Sequence, residues 1–339
     1  MNTGIVYGEQ GALAQLMGKD KIEISLSLNN TCNLRCRMCR IWNSGEEENL
    51  LTLKKCLDII DELKEFEVKG VRISGGDPLL VPWVLDLVGY INKKKYHSCT
   101  TTNGSMIDEV YALKIAQSGL SNLNFSLDSY DPGIHDAIRG MPGSRDRIMD
   151  AIGHIAKKGS GPVIGINTVI SSFNLDDLLI LADSIQDDKR INHIYFMAIM
   201  QPFNTPLDKE WFVKDNFCDL WPKDKEKVRY IINELITRKK SGYKINNSFA
   251  QLLTFIDYFM DPLHFTRKNN CNLGKEVMEV NQMGDVFLCH SYGSVGNVFQ
   301  DSISDIWTGT RADLVRGKIA GCSQNCNLLI NCYFEDNDV

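Results

Sequence analysis

The residues of this chain with the clearest capacity for chemistry are its cysteines. Of eleven in 339 residues, three lie within residues 32–39 and five follow residue 270. Cys32, Cys36 and Cys39 have the spacing C-x3-C-x2-C. Three thiolates on one tight loop can bind three irons of a [4Fe–4S] cluster and leave the fourth iron open, as a catalytic metal centre requires. A zinc knuckle or a chance grouping is the alternative, although a lone triad leaves zinc one ligand short.

A second group of cysteines lies near the C-terminus. Cys271, Gly284 and Cys289 have the spacing C-x12-G-x4-C, which is typical of two ligands on either side of a hairpin. Three distal cysteines follow: Cys322, Cys326 and Cys332. Five thiolates cannot fully ligate two clusters, so we predict one auxiliary [4Fe–4S] cluster held by Cys271, Cys289 and two of the distal three. A structural zinc site is the alternative.

Composition and charge limit the class of protein. The chain has 37 Lys plus Arg against 43 Asp plus Glu, a net charge of −6, which disfavours a broad nucleic-acid surface. The first 21 residues lack the basic and apolar regions of a secretory signal, and no run approaches the ~18 apolar residues of a membrane span. We therefore predict a cytoplasmic protein with reduced thiols and without a membrane or nucleic-acid partner.

The elements that must position these cysteines alternate between strands and helices. Residues 22–200 contain six strand–helix units, which favours parallel strands with right-handed crossovers. Six units are fewer than the eight of a closed barrel, so an open partial barrel and a doubly wound sheet are the candidates. Strands are predicted at 23–28, 71–74, 124–129, 163–170 and 193–200, and a further strand, the third in chain order, ends in TTNG at 101–104. A loop is expected after residue 129, before a helix that begins at Ser144.

The pattern changes after residue 200, and this change predicts the domain organisation. Residues 201–228 are rich in loops and proline, and two helical segments follow them. The predicted segments are an N-terminal extension (1–21), a barrel core (22–200), a helical linker region (201–270) and a small cysteine-rich domain with a hairpin at Gly284 (271–339).

Several motifs together identify a family. CNLRCRMC directly after the first strand resembles the signature of the radical S-adenosylmethionine superfamily, with Met38 where the family usually has an aromatic residue. GGDP resembles the family's GGEP turn, and the motifs TTNG, SLDS, HDAIRG and GINTVI follow in the family's order. The resemblance implies that Arg139 faces the cofactor or substrate. It also implies these cofactor-binding residues: Met38, Gly75, Gly76, Asp77, Pro78, Asn103, Ser126, Asp128 and Asn167.

The resemblance implies a fold and a reaction. The fold is a partial (β/α)6 barrel of the TIM type, and the cofactors are a [4Fe–4S] cluster and S-adenosylmethionine. The amino and carboxylate groups of S-adenosylmethionine would bind the open iron, and one electron would cleave it to a 5′-deoxyadenosyl radical. The glycines of GGDP are expected to let the backbone approach the ligand. A flavodoxin- or ferredoxin-type protein is the expected electron donor.

The C-terminal cysteines resemble the SPASM module or its shortened twitch form, although the distal spacing departs from the full pattern. Our first hypothesis is a radical oxidoreductase that dehydrogenates a carbohydrate-like or other small molecule, with the auxiliary cluster as electron acceptor. The alternative is a peptide-modifying enzyme that makes a cross-link or an epimer, for which Cys218 could donate a hydrogen atom. A non-catalytic iron–sulfur or zinc scaffold is the third hypothesis, and the complete motif set argues against it.

Overall fold

The computed structural model describes residues 22–44, 51–203, 205–206, 208–214, 217–264, 271–322, 326 and 330–331. The strands are β1 (Ile22–Ser27), β2 (Val68–Ser74), β3 (Ser98–Thr102), β4 (Asn122–Ser126), β5 (Val163–Ile170), β6 (His193–Ala198), β7 (Val277–Val280), β8 (Asp285–Phe287) and β9 (Gly296–Asn297). The helices are α1 (Leu53–Glu62), α2 (Val84–Lys93), α3 (Glu109–Ser118), α4 (Pro132–Arg139), α5 (Ser144–Ala156), α6 (Leu178–Asp187), α7 (Lys225–Lys240), α8 (Phe249–Met260), α9 (Leu273–Glu276), α10 (Ile303–Thr308) and α11 (Thr310–Ala320).

The first six strands form a parallel sheet in which each strand pairs with its neighbours in sequence. The strand order in the described part of the chain is β6-β5-β4-β3-β2-β1-β7-β8-β9, so β6 and β1 do not meet and the barrel is open. The predicted partial barrel is therefore confirmed. Within the described residues, every helix is too short or too polar to cross a membrane.

The two faces of the barrel strands differ in polarity. On β1, Ile24 and Leu26 belong to the apolar core, which the helices cover. The alternate residues Glu23 and Ser25 are also buried, and Glu23 forms an ion pair with Arg72 of β2. Because side chains alternate along a strand, a polar face lines the inside of the barrel, where buried charges need partners.

One predicted loop is wrong. Residues 132–139 form helix α4 and not part of a loop. Asp131 caps the helix by accepting a hydrogen bond from the Ile134 amide (2.9 Å), and Pro132 occupies its first turn. Gly140 ends the helix with a φ of 67°. These are ordinary start and stop signals, so the sequence did contain the evidence for this helix.

The cysteine-rich segment continues the barrel sheet. β7 pairs in parallel with β1, from Glu23–Val277 to Leu26–Val280. β8 returns antiparallel to β7, and Gly284 between them has a φ of 82°, which confirms the predicted hairpin. Since β1 also carries the first cysteine loop at its end, this pairing fixes the position of the hairpin relative to that loop.

Candidate metal and cofactor site

One cavity lies at the carboxyl ends of the barrel strands, where parallel α/β folds place their ligands. It is lined by all three cysteines of the first group: Cys32, Cys36 and Cys39. Most of the predicted cofactor-binding residues also line it, namely Met38, Gly75, Gly76, Asp77, Pro78, Asn103, Ser126 and Asn167, together with Arg139. The sequence motifs are thus brought together, although the role of each residue stays a prediction.

The three thiols line one cavity, so they can share one metal centre. Among the residues with described positions, no group of three or more His, Cys, Asp or Glu side chains could hold one metal ion. Thiolates on one zinc ion must each lie about 2.3 Å from it, whereas the thiolates of a cluster bind separate irons and stand further apart. All three cysteines line one cavity, as a single cluster with three thiolate ligands requires.

Burial also determines the charge of these thiols in the absence of a metal. Burial raises the pKa of Cys32 to about 11 and that of Cys39 to about 12, and it also raises the pKa of Cys36. The thiols are therefore protonated at neutral pH without a metal, because burial removes the water that would solvate a thiolate. Iron binding would release these protons and supply the missing positive charge.

The GGDP turn is hydrogen-bonded to the start of the cysteine loop. The Gly76 amide lies 3.0 Å from the Asn29 carbonyl oxygen and 2.9 Å from Asn29 Oδ1, and the Asp77 amide donates to the Thr31 carbonyl oxygen (2.9 Å). A Cβ atom on Gly76 would lie 2.0 Å from that same Thr31 oxygen. The glycine is therefore required by the neighbouring backbone, whereas the sequence analysis attributed it to the approach of a ligand.

Asp77 joins the GGDP turn to the end of β3. Its buried carboxylate accepts hydrogen bonds from Thr102 Oγ1 (2.9 Å), the Asn103 amide (2.9 Å) and the Leu79 amide (3.0 Å). Burial raises the pKa of Asp77, and these hydrogen bonds act in the opposite direction. Asn103 in turn lies with its Nδ2 3.9 Å from Cys32 Sγ. The motifs GGDP and TTNG thus jointly hold the first cysteine.

Arg139 lies beside the second cysteine. Its Nη1 is 3.9 Å from Cys36 Sγ, and its Nε forms an ion pair of 2.7 Å with Asp128 Oδ2. Asp128 is fully buried and accepts a hydrogen bond from the Val169 amide (3.0 Å), but it is not among the described residues that line the cavity. Asp128 therefore positions Arg139, and its expected contact with the cofactor stays a prediction.

The segment after β6 crosses the cavity mouth. Phe203 makes a parallel backbone bridge with Cys39, and Phe203 and Met197 both line the cavity. Sequence reasoning missed Phe203 because its pairing with Cys39 is a long-range contact. Cys218 is half-buried in the following segment and is not among the described cavity-lining residues. Its proposed role as a hydrogen donor stays a prediction without support from this geometry.

The second group of cysteines converges around Tyr292. A hydrogen bond with Cys322 and the proximity of Cys289 and Cys326 raise the pKa of Tyr292 to about 12. Cys271 precedes α9, which packs on α11 through a hydrogen bond from Arg316 Nε to the Gly274 carbonyl oxygen (2.9 Å). Cys332 lies outside the described residues. The structure therefore brings Cys289, which follows β8, and Cys322, which follows α11, close to Cys326 of the distal loop.

Two family models match this chain. Residues 26–185 match the model described as Radical SAM superfamily, and residues 271–333 match an iron–sulfur cluster-binding domain, SPASM. The first segment contains the three cavity cysteines, and the second contains all five C-terminal cysteines. The two matched segments together make up most of the chain.

Individual proteins are similar to the chain over most of its length. The mycofactocin maturase of Mycobacterium tuberculosis (strain CDC 1551 / Oshkosh) is 27% identical over 323 residues, which cover 91% of this chain and 76% of the relative. Streptococcus suis SuiB bound to the precursor peptide SuiA has a TM-score of 0.68 and 19% identity, covering 94% of this chain and 76% of SuiB. The structure of anSMEcpe with bound AdoMet and Cp18Cys peptide has a TM-score of 0.63 and 16% identity. The similarity covers 92% of this chain and 87% of anSMEcpe. The two structures share the fold of this chain.

Proposed function

The chain belongs to the radical S-adenosylmethionine superfamily and carries a C-terminal SPASM module, and on this premise we propose that it modifies a peptide. It is a radical S-adenosylmethionine enzyme whose cofactors are S-adenosylmethionine, the [4Fe–4S] cluster that binds it, and an auxiliary iron–sulfur centre. With these cofactors bound and one electron supplied, S-adenosylmethionine would supply a 5′-deoxyadenosyl radical able to remove a hydrogen atom from the substrate.

The chain's own residues would bind these cofactors and form the wall of the cavity around them. Cys32, Cys36 and Cys39 would ligate the first cluster, and the GGDP turn fixes the loop that carries them. The cavity wall combines apolar residues such as Met38 and Met197 with polar residues such as Ser126. Apolar surfaces exclude water from a reactive intermediate, and a few polar groups orient the ligand.

The observation that carries the peptide assignment is the similarity to peptide-bound enzymes across nearly the whole chain. SuiB was solved with the precursor peptide SuiA and anSMEcpe with the Cp18Cys peptide, and the chain covers most of both. The similarity to a maturase extends over both matched segments. Our first hypothesis, dehydrogenation of a carbohydrate-like molecule, has less support than the peptide alternative.

The cysteine loop also offers a surface for the electron donor. Arg35 and Arg37 are exposed on its outer side, where Arg37 also pairs with Asp219 (3.1 Å), while Leu34, Cys36 and Met38 are buried. A cationic loop on a chain of net charge −6 favours an acidic donor of the flavodoxin or ferredoxin type. Reduction of the cluster by flavodoxin should therefore slow as the salt concentration rises.

The test compares two classes of substrate on one preparation. Anaerobically reconstituted protein is incubated with S-adenosylmethionine and a reductant, together with deuterated peptides encoded by short reading frames beside the gene, or with a deuterated aminocyclitol. A peptide substrate should transfer deuterium to 5′-deoxyadenosine and yield a cross-linked product, lighter by two hydrogen atoms, or an epimer. The Cys36→Ala variant is the control and should give neither. Transfer from the aminocyclitol and from none of the peptides would overturn the assignment.

A further inference from the structure

The outer edge of β6 is paired with residues 244–246 at Ile194, and beyond this bridge two asparagine side chains cover it. Asn247 Oδ1 accepts a hydrogen bond from the Phe196 amide (2.8 Å), and Asn247 Nδ2 donates to the Phe196 carbonyl oxygen (2.8 Å). Asn331 does the same two residues further on, accepting from the Ala198 amide (2.7 Å) and donating to the Ala198 carbonyl oxygen (2.8 Å). Both asparagines are at most 1% exposed. Each side-chain amide thus replaces a neighbouring strand.

The two asparagines come from different parts of the chain. Asn247 directly precedes Ser248, the residue that caps helix α8. Asn331 belongs to the distal cysteine segment, between Cys326 and Cys332 in the sequence. Its backbone is anchored as well, because Tyr195 donates a hydrogen bond from its hydroxyl to the Asn331 carbonyl oxygen (3.2 Å). The cysteine-rich segment therefore contacts the barrel at both open edges, β1 through β7 and β6 through Asn331.

The clamped stretch of β6 forms part of the cavity wall. Met197 lies between the two clamped residues, Phe196 and Ala198, and lines the cavity together with the three thiols. The position of Met197 depends on the backbone of its two neighbours in β6. Their amides and carbonyl oxygens are hydrogen-bonded to the side chains of the two asparagines. A buried amide or carbonyl that loses such a partner is strongly disfavoured, so loss of Asn331 would release the Ala198 end of this strand.

We infer that Asn331 is a positioning residue that makes the S-adenosylmethionine cavity dependent on the auxiliary centre. Ligation of the distal cysteines would hold the segment that presents Asn331 to Ala198. When the auxiliary centre is lost, Asn331 withdraws, the end of β6 loosens, and S-adenosylmethionine binds more weakly although every residue of the first cysteine group is intact. The inference requires no substrate, so it can fail or succeed independently of the peptide proposal.

The first test is a double-mutant cycle on S-adenosylmethionine binding, measured by equilibrium dialysis with the radiolabelled compound. Asn331→Ala and the pair Cys271→Ser plus Cys289→Ser should each raise the Kd about tenfold, and their combination should raise it little further, because both remove the same contact. The matched control is Ser126→Ala, which changes the cavity wall on β4, two strands away from β6, and whose effect should multiply with that of the cysteine pair. Multiplicative effects of Asn331→Ala and the cysteine pair would overturn the inference.

A second measurement applies even if an alanine variant is unstable. This measurement compares the hydrogen-exchange rates of two backbone amides of β6. The Ala198 amide donates its hydrogen bond to Asn331 Oδ1, and the Phe196 amide donates to Asn247 Oδ1. Substituting Cys271 and Cys289 by serine in an otherwise unaltered chain should speed exchange at Ala198 more than tenfold and leave Phe196 near its original rate. Equal changes at both amides, or none at Ala198, would contradict the coupling.

Discussion

Substitution of Gly76 by alanine tests how the first cysteine loop is held. The added Cβ would lie 2.0 Å from the Thr31 carbonyl oxygen and 2.4 Å from its carbonyl carbon. The Thr31 backbone must therefore move by about 1 Å, and forcing an extra methyl into a packed site costs about 1–3 kcal/mol. The hydrogen bonds of the Gly76 and Asp77 amides to Asn29 and Thr31 would be stretched or lost as well, at roughly 1 kcal/mol each.

The consequence should appear in metal content before it appears in activity. Thr31 precedes Cys32, and metal–ligand distances tolerate deviations of only about 0.2 Å, so a displaced Cys32 cannot ligate normally. After anaerobic reconstitution, Gly76→Ala should bind about four irons fewer than the unaltered protein and should unfold at a lower temperature.

Gly89→Ala is the matched control, because its Cβ would meet only the Ser118 carbonyl oxygen at 3.9 Å. This control should keep its iron. A Gly76→Ala protein with its full iron content and unaltered S-adenosylmethionine affinity would refute this account of the turn.

Two further predictions concern the residues around Cys36. Arg139→Gln removes a cation 3.9 Å from Cys36 Sγ, so the reduced, more negative cluster loses stabilisation. Its reduction potential should fall by about 60 mV, a tenfold change for one electron, in a redox titration followed by electron paramagnetic resonance. Burial lowers the pKa of His135 to about 4, whereas an unfolded histidine titrates near ~6.5. The unfolded chain therefore binds more protons between these values, and the free energy of unfolding should fall by up to about 1.4 kcal/mol per pH unit as the pH drops through this window. His135→Gln should show a shallower loss between pH 7 and pH 5 in chemical denaturation, and an unchanged slope would contradict the assignment of the neutral form.

The sequence predicts those features that depend on local pattern. Strand β5 spans 163–170 as its run of β-branched residues indicates, and Gly119 ends α3 with a φ of 80°, as expected of a C-terminal glycine. The order of the motifs also predicts which residues meet in the cavity, because the carboxyl ends of parallel strands share one edge of the sheet.

Features that depend on long-range contacts were not predicted. The approach of Gly76 to Thr31, the bridge between Phe203 and Cys39 and the pairing of β7 with β1 each join segments separated by tens to hundreds of residues. The clamp of Asn331 on Ala198 is of the same kind. A single sequence carries no signal for such pairs, because an asparagine that covers a strand edge looks like any other asparagine in a loop.

Reductive cleavage of S-adenosylmethionine is the most direct test of the central claim that the barrel cavity is a radical site. Anaerobically reconstituted and reduced protein should convert S-adenosylmethionine to 5′-deoxyadenosine and methionine without any substrate. Replacing Cys32, Cys36 and Cys39 by alanine should abolish this reaction and remove about half of the iron, leaving the irons of the auxiliary centre. Formation of 5′-deoxyadenosine at the original rate by this triple variant would contradict the account.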